Sequence, residues 1–224
     1  MLVSYPMFED LPLLLLRFFV LTVSLTFHEA AHAWAAWRLG DDTAKRMGRL
    51  SLNPLVHMDP IGSLMILGRA PIGWAKPVPV DPRNLRNPRS GMPLVAFAGP
   101  LSNLLIAFFC CILFFVIDPV IEGSSWEKML AMFIYVNFSL AIFNLLPISP
   151  LDGSKIITTF MSDKVADRYE EIMARMGVFP LVALVALEAM REGPGLLSLW
   201  FRFWRPLIYP ILALFQVPYS LYPH

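Results

Sequence analysis

The chain has 224 residues, room for one membrane domain and little more. Apolar residues make up 57% and mean hydropathy is +0.60, above the ~45–50% apolar content of soluble domains, so most of the chain must face lipid or a membrane-embedded core. A net charge of +1 excludes the basic balance expected of a nucleic-acid-binding protein, so the partners to expect are a lipid bilayer and no nucleic acid.

Taken in chain order, the elements predict an all-α polytopic membrane protein. Four or five transmembrane helices are expected, with a small strand-like or re-entrant section between the first and second. The N-terminus lacks the basic n-region of a cleavable signal peptide, because Glu9 and Asp10 precede the apolar run and Arg17 falls inside it. A first helix over 11–39 carries His28-Glu29-Ala30-Ala31-His32 towards its C-terminal end, before the stop at Gly40-Asp41-Asp42. Two histidines four apart stand one above the other on a helix face, the spacing at which both imidazoles reach one zinc ion. Glu29, beside the first of them, is placed to act as general base on a zinc-bound water.

Residues 40–91 form a polar section rich in Pro and Gly, with no run long enough to span a bilayer. Short apolar stretches at 49–52, 61–67 and 74–80 read as strands or re-entrant pieces. His57 sits in a Pro- and Asn-rich stretch that reads as a locally bonded turn, with a place behind the metal ligands or as an alternative ligand as the other options. Further spans are expected over 92–117 and 129–146. The first of these contains Cys110 and Cys111, whose adjacency disfavours a mutual disulfide, so both read as buried apolar residues. Asn137 and Asn144 lie seven apart and share one face of the following span. The expectation for Asn137 is a hydrogen bond to a neighbouring helix, and for Asn144 an amide that stabilises a developing oxyanion.

A catalytic zinc takes three protein ligands and keeps one position open. The chain has four histidines, His28, His32, His57 and His224, and the third ligand is more readily an acid. Asp152 stands out in the loop 147–153, where Pro147 and Pro150 cannot continue a helix and unwind the backbone at membrane depth. Such backbone survives there only where it is buried in protein or lines a wet cavity. An ionised Asp near the apolar layer costs about 2.5–3.5 kcal/mol, which a metal contact offsets. The C-terminal helices over 177–217 are less regular: 177–190 is short and contains Glu188, while 196–217 holds Arg202, Arg205, Pro206 and Pro210. One of the two could lie in the interface. Arg38, Lys45, Arg46, Arg49, Arg69, Lys76, Arg83, Arg86 and Arg89 flank or occupy the 40–91 section, whereas Asp118, Glu122 and Glu127 face a single Lys128 in the next loop. By the positive-inside rule the 40–91 section is cytoplasmic and the metal site opens nearer that face.

These motifs together resemble the site-2 protease family of intramembrane zinc metalloproteases. HEAAH at 28–32 matches its zinc motif, and NLLPISPLDG at 144–153 matches its second signature, N-x-x-P-x-x-P-L-D-G. Gly99-Pro100-Leu101-Ser102-Asn103 looks like its G-x-x-x-N element, and GWAKPVPV at 73–80 looks like the loop that follows its metal helix. The resemblance implies one Zn2+ per chain held by His28, His32 and Asp152, water activated by Glu29, and a tetrahedral intermediate assisted by Asn144. It also implies peptide-bond hydrolysis within or near transmembrane segments of membrane-anchored proteins, including signal-peptide remnants, with separate regulatory partners. The whole of 1–224 then reads as one metalloprotease domain, a minimal form without PDZ or CBS domains. The chain departs from the family in having its metal helix as the first span and Ser154 where a second Gly is frequent. Trp74, Lys76, Pro77 and Val78 are the expected substrate-binding residues, on a strand edge to which an extended substrate adds. His57 and Asn103 are second-shell candidates. The competing readings are a zinc-binding scaffold, sensor or transporter without catalysis, and the prenyl-protein-processing class of membrane metalloprotease. Glu29 weighs against the first, and L-D-G after a Pro-broken span weighs against the second.

Overall fold

A computed structural model describes residues 11–67, 74–191 and 193–218. Arg69, Gly73 and His224 lie outside the described residues. Among the described residues nine α-helices follow one another: α1 (Leu11–Leu39), α2 (Thr43–Arg46), α3 (Pro60–Leu67), α4 (Pro88–Ile121), α5 (Ser125–Asn144), α6 (Gly153–Ile156), α7 (Asp163–Met176), α8 (Phe179–Met190) and α9 (Leu196–Leu214). No strand is assigned among the described residues, so the chain is all-α.

Among the described residues three helices are long and apolar enough to cross a bilayer: α1, α4 over Pro88–Ile117, and α5. A fourth span results if α7 and α8, which meet at 67°, are one broken crossing. The packing is that of a membrane protein, because small and polar side chains line the helix contacts while large apolar ones face outwards. On α1, Ser24, Ala33 and Ala36 are fully or almost fully buried, whereas Leu11, Leu15, Phe19 and Trp34 are more than half exposed. Small residues let α4 lie close along α1, and α4 in turn packs along α5. Ala107, Cys111 and Phe114 of α4 meet Ala131, Ile134 and Phe138 of α5 in the main core, closed by Leu212 of α9. Both cysteines are free and buried in this layer.

The helix ends have local causes. Gly40, at φ +117°, lets the chain reverse after α1 while Asp41 N–H reaches back to Ala36 O at 2.9 Å. Ser124 Oγ caps α5 by accepting from Glu127 N–H. The helix stops at Asn144, three residues before Pro147, and the chain turns through 145–152 into α6.

None of the three stretches expected as strands or re-entrant pieces forms a strand: 49–52 is an irregular bend, and the other two differ from each other. The stretch 61–67 is helical, as part of α3, because Pro60 sits at its first position and Asp59 Oδ1 accepts from Gly62 N–H at 2.8 Å. A short apolar run does not distinguish strand from helix by periodicity, and the capping residues decided it. The stretch 74–80 is extended but makes only one antiparallel bridge, Ala75 with Met58, beside a bond from Lys76 N–H to His57 O at 2.8 Å. Pro77 and Pro79 lack N–H groups, so a regular ladder cannot continue. The strap is instead pinned from below. The buried Arg49 donates to the carbonyls of Lys76 and Pro77. The fully buried Asp41 accepts from Asp81 N–H at 2.8 Å and Asn84 Nδ2 at 3.1 Å. Burial opposes ionisation of Asp41, yet the bonds from Thr43, Asp81 and Asn84 hold its carboxyl below the ordinary range.

Candidate metal centre

His28 and His32 are both buried on the α1 face turned towards α4 and α6. Their Nε2 atoms lie 3.0 Å apart. Asp152, at the start of α6, brings Oδ2 to 3.2 Å from His28 Nε2 and Oδ1 to 3.3 Å from His32 Nε2. These three are the group among the described residues that could hold a metal ion.

The hydrogen bonds on the far side of each ring set its tautomer. His32 Nδ1 is 2.8 Å from Val95 O, and a carbonyl can only accept, so Nδ1 carries the proton. His28 Nδ1 is 2.6 Å from Asn103 Oδ1, again an acceptor. In the neutral rings both Nε2 lone pairs then face one another and the Asp152 carboxylate. Among the described residues, buried Asp152 Oδ2 has no hydrogen-bond partner. With both rings neutral, these three converging acceptors repel unless a cation lies between them. Ligands at ordinary zinc distances on tetrahedral directions stand about 3.3 Å apart, which the observed spacings approach. The residues fit zinc, whose usual donors are imidazole nitrogen and carboxylate oxygen.

Two features of α4 build this pocket. Pro100 supplies no N–H to Ala96 O, the carbonyl next to Val95 O, which accepts from His32 Nδ1. Gly99 lies directly against both imidazoles. A Cβ there would sit 2.6 Å from His28 Cε1 and closer still to His32 Nε2, so any other residue would push the rings aside.

Glu29 is buried beside the group but is not one of the three. Its Oε2 accepts from Val78 N–H at 2.9 Å, so the strap lies against the carboxylate. Asn144 is half-buried at the end of α5, and its Nδ2 donates to Leu140 O at 2.9 Å. His57 is apart from the metal group, with Nε2 donating to Ser51 O at 2.8 Å within its own turn. Asn103 is fully buried against His28. Trp74 is partly exposed at the start of the strap, where it lines a small cleft with Thr22, Thr26, His57, Met58 and Ala75. Reading by motif did not find Arg49, Asp41 or Gly99 as builders of the site. Only Gly99 carried a signal, its place in the G-x-x-x-N element.

Fold and site together define a multi-pass helical membrane protein in which two buried histidines and a partly buried aspartate converge so that they could hold a metal ion. Residues 118–184, which include Asp152, match the model of Peptidase family M50. Over 213 residues the chain is 38% identical to YwhC of Bacillus subtilis (strain 168), whose name assigns it provisionally as a zinc metalloprotease; the match covers 88% of this chain and 97% of that protein. Rip2 of Mycolicibacterium smegmatis, assigned in the same way, is 30% identical over 183 residues, 80% of this chain and 70% of its own. Zinc metalloprotease MJ0392 of Methanocaldococcus jannaschii is 25% identical over 147 residues, 66% of this chain and 34% of its own. No solved structure matches. The chain belongs to peptidase family M50, the site-2 protease family.

Proposed function

We propose that this chain is an intramembrane zinc metalloprotease that hydrolyses peptide bonds within or near transmembrane segments of membrane-anchored proteins. The observation that carries the reading is the placing of Glu29 beside three converging acceptors on helices that are apolar enough to span a bilayer. His28, His32 and Asp152 would hold one zinc ion per chain. When bound, zinc supplies a Lewis acid that polarises a carbonyl and acidifies water. Glu29 takes a proton from the attacking water and passes it to the departing amide nitrogen. Val78 N–H fixes one carboxylate oxygen, while Oε1 carries no bond to a described residue and is the oxygen left for that transfer. Asn144 retains one amide hydrogen beyond its bond to Leu140 O, and that hydrogen would stabilise the developing oxyanion. The basic section 40–91 favours a site opening towards the cytoplasmic face.

A helical substrate hides its carbonyls in intrahelical bonds and must be extended before attack. The strap 74–80 is suited to hold it, because it is extended and lies against Glu29. The cleft lined by Thr22, Thr26 and Trp74 follows the α1 face that leads to Glu29, since positions 22, 26 and 29 share one side of a helix. Trp74 then packs against the bound segment, with Lys76, Pro77 and Val78 beside it. Substrates would include signal-peptide remnants, and gating would fall to separate partner proteins.

The zinc-loaded protein reconstituted in liposomes with a membrane-anchored peptide should release fragments whose masses place the cut within or next to the transmembrane segment. Stripping the metal with a chelator should stop cleavage, and zinc should restore it. Cuts confined to soluble loops would sink the intramembrane reading. In the same assay Trp74→Ala should raise KM by roughly 10-fold, the scale of a buried aromatic anchor, with zinc content unchanged. Loss of zinc from that variant would show that the strap serves the metal site and not the substrate.

A further inference from the structure

A buried polar chain runs away from the metal group through all three spanning helices. Ser24 of α1, Asn103 of α4 and Asn137 of α5 are each fully buried, in a layer otherwise apolar. Asn137 Nδ2 donates to Phe133 O at 2.8 Å and to Ser24 Oγ at 2.9 Å. Because Phe133 O can only accept, that end of Asn137 must be the NH2, and its Oδ1 faces Asn103. Asn103 Nδ2 donates to Asn137 Oδ1 at 2.8 Å and to Ser24 O at 3.3 Å. Its Oδ1 is thereby turned to His28 Nδ1, 2.6 Å away. Two backbone carbonyls, Phe133 O and Ser24 O, dictate the direction of every bond in the series.

We propose that Asn137 is a positioning residue for the metal centre, which acts through Asn103 to hold His28 in the tautomer whose Nε2 lone pair faces the ion. This rests on the reading of His28 as a ligand. The alternative state is a flipped Asn103 amide, with its NH2 donating to His28 Nδ1 and the ring proton moved to Nε2. In the native protein that flip sets Asn103 oxygen against Asn137 Oδ1 and Ser24 O, two acceptor–acceptor contacts in a dry interior. Without Asn137 only the longer contact to Ser24 O opposes it. Partners of this kind typically change metal affinity by 10–100-fold.

The test measures zinc affinity of the full chain by competition with a chromophoric chelator, for the wild type, Asn137→Leu, Asn103→Asp and the double variant. Asn137→Leu should weaken zinc binding by about 10–100-fold. Asp at 103 has oxygen at both ends and presents an acceptor to His28 whichever way it turns. In that background Asn137→Leu should therefore change affinity by less than about 3-fold, a marked non-additivity. Equal losses in both backgrounds would mean that Asn137 merely supports packing, and no loss in either would remove it from the site. Nitrogen NMR of the metal-free protein reads the same inference without zinc. His28 should be protonated at Nδ1 in the wild type and should gain the Nε2-protonated form in Asn137→Leu. An unchanged tautomer in that variant overturns the proposal. If the leucine variant does not fold, Asn137→Ala carries the same expectations. A wild type that binds no zinc would refute the metal reading, and the tautomer measurement would still decide the role of Asn137.

Discussion

Glu29→Gln should abolish cleavage, by about 10²–10⁴-fold in kcat, and leave zinc content at the wild-type level. Gln has the shape of Glu and keeps an oxygen that can accept from Val78 N–H, so the strap should remain in place. Glu29 is outside the group formed by His28, His32 and Asp152, so metal affinity should change little. What is lost is the ability to accept a proton from water and return it to the leaving nitrogen. Metal analysis of the purified variant beside its turnover of a membrane-anchored peptide checks both halves. A variant that keeps both zinc and activity would assign the proton transfer to another group.

Asp152→Asn should cost the metal itself. In the native protein each carboxylate oxygen stands against one imidazole Nε2, at 3.2 and 3.3 Å. The amide removes the negative charge and turns an NH2 towards one of the two rings. Two neutral imidazoles are then left to hold a divalent ion. Zinc affinity should fall by more than the ~10–100-fold typical of supporting residues, with cleavage lost in parallel. The helices should stay folded, because Asp152 contributes no helix-capping side-chain bond. Zinc per chain after dialysis against a chelator, with helicity from circular dichroism, makes the comparison. Retention of zinc in this variant would remove Asp152 from the ligand set.

The convergence of His28, His32 and Asp152 was legible in the sequence because ligand chemistry restricts residue types and spacings. The i, i+4 histidines need only one regular helix, and Asp152 follows prolines that must break the next span. The family resemblance joined the two halves across more than a hundred residues. Other parts depended on tertiary placement that no local pattern records. Asn137 reads from sequence as an ordinary interhelical bond, and its link to His28 exists only because α4 packs against both α1 and α5 and carries Asn103 to them. Asp41 reads as a helix stop, yet its carboxylate anchors the strap forty residues later. Arg49 lies in a stretch that reads as a strand, and the structure turns it inwards to carbonyls of the strap. The helix at 60–67 was hidden by a short apolar run whose outcome rested on Asp59 and Pro60.

The most direct measurement compares small membrane-embedded peptide fragments, by mass spectrometry, in native cells carrying the wild type or Glu29→Gln. The proposed activity predicts that particular membrane stubs accumulate in the variant and that their shorter products appear only with the wild type. Identical fragment profiles in the two strains, with zinc bound in both proteins, would contradict it and favour a zinc-binding scaffold or sensor.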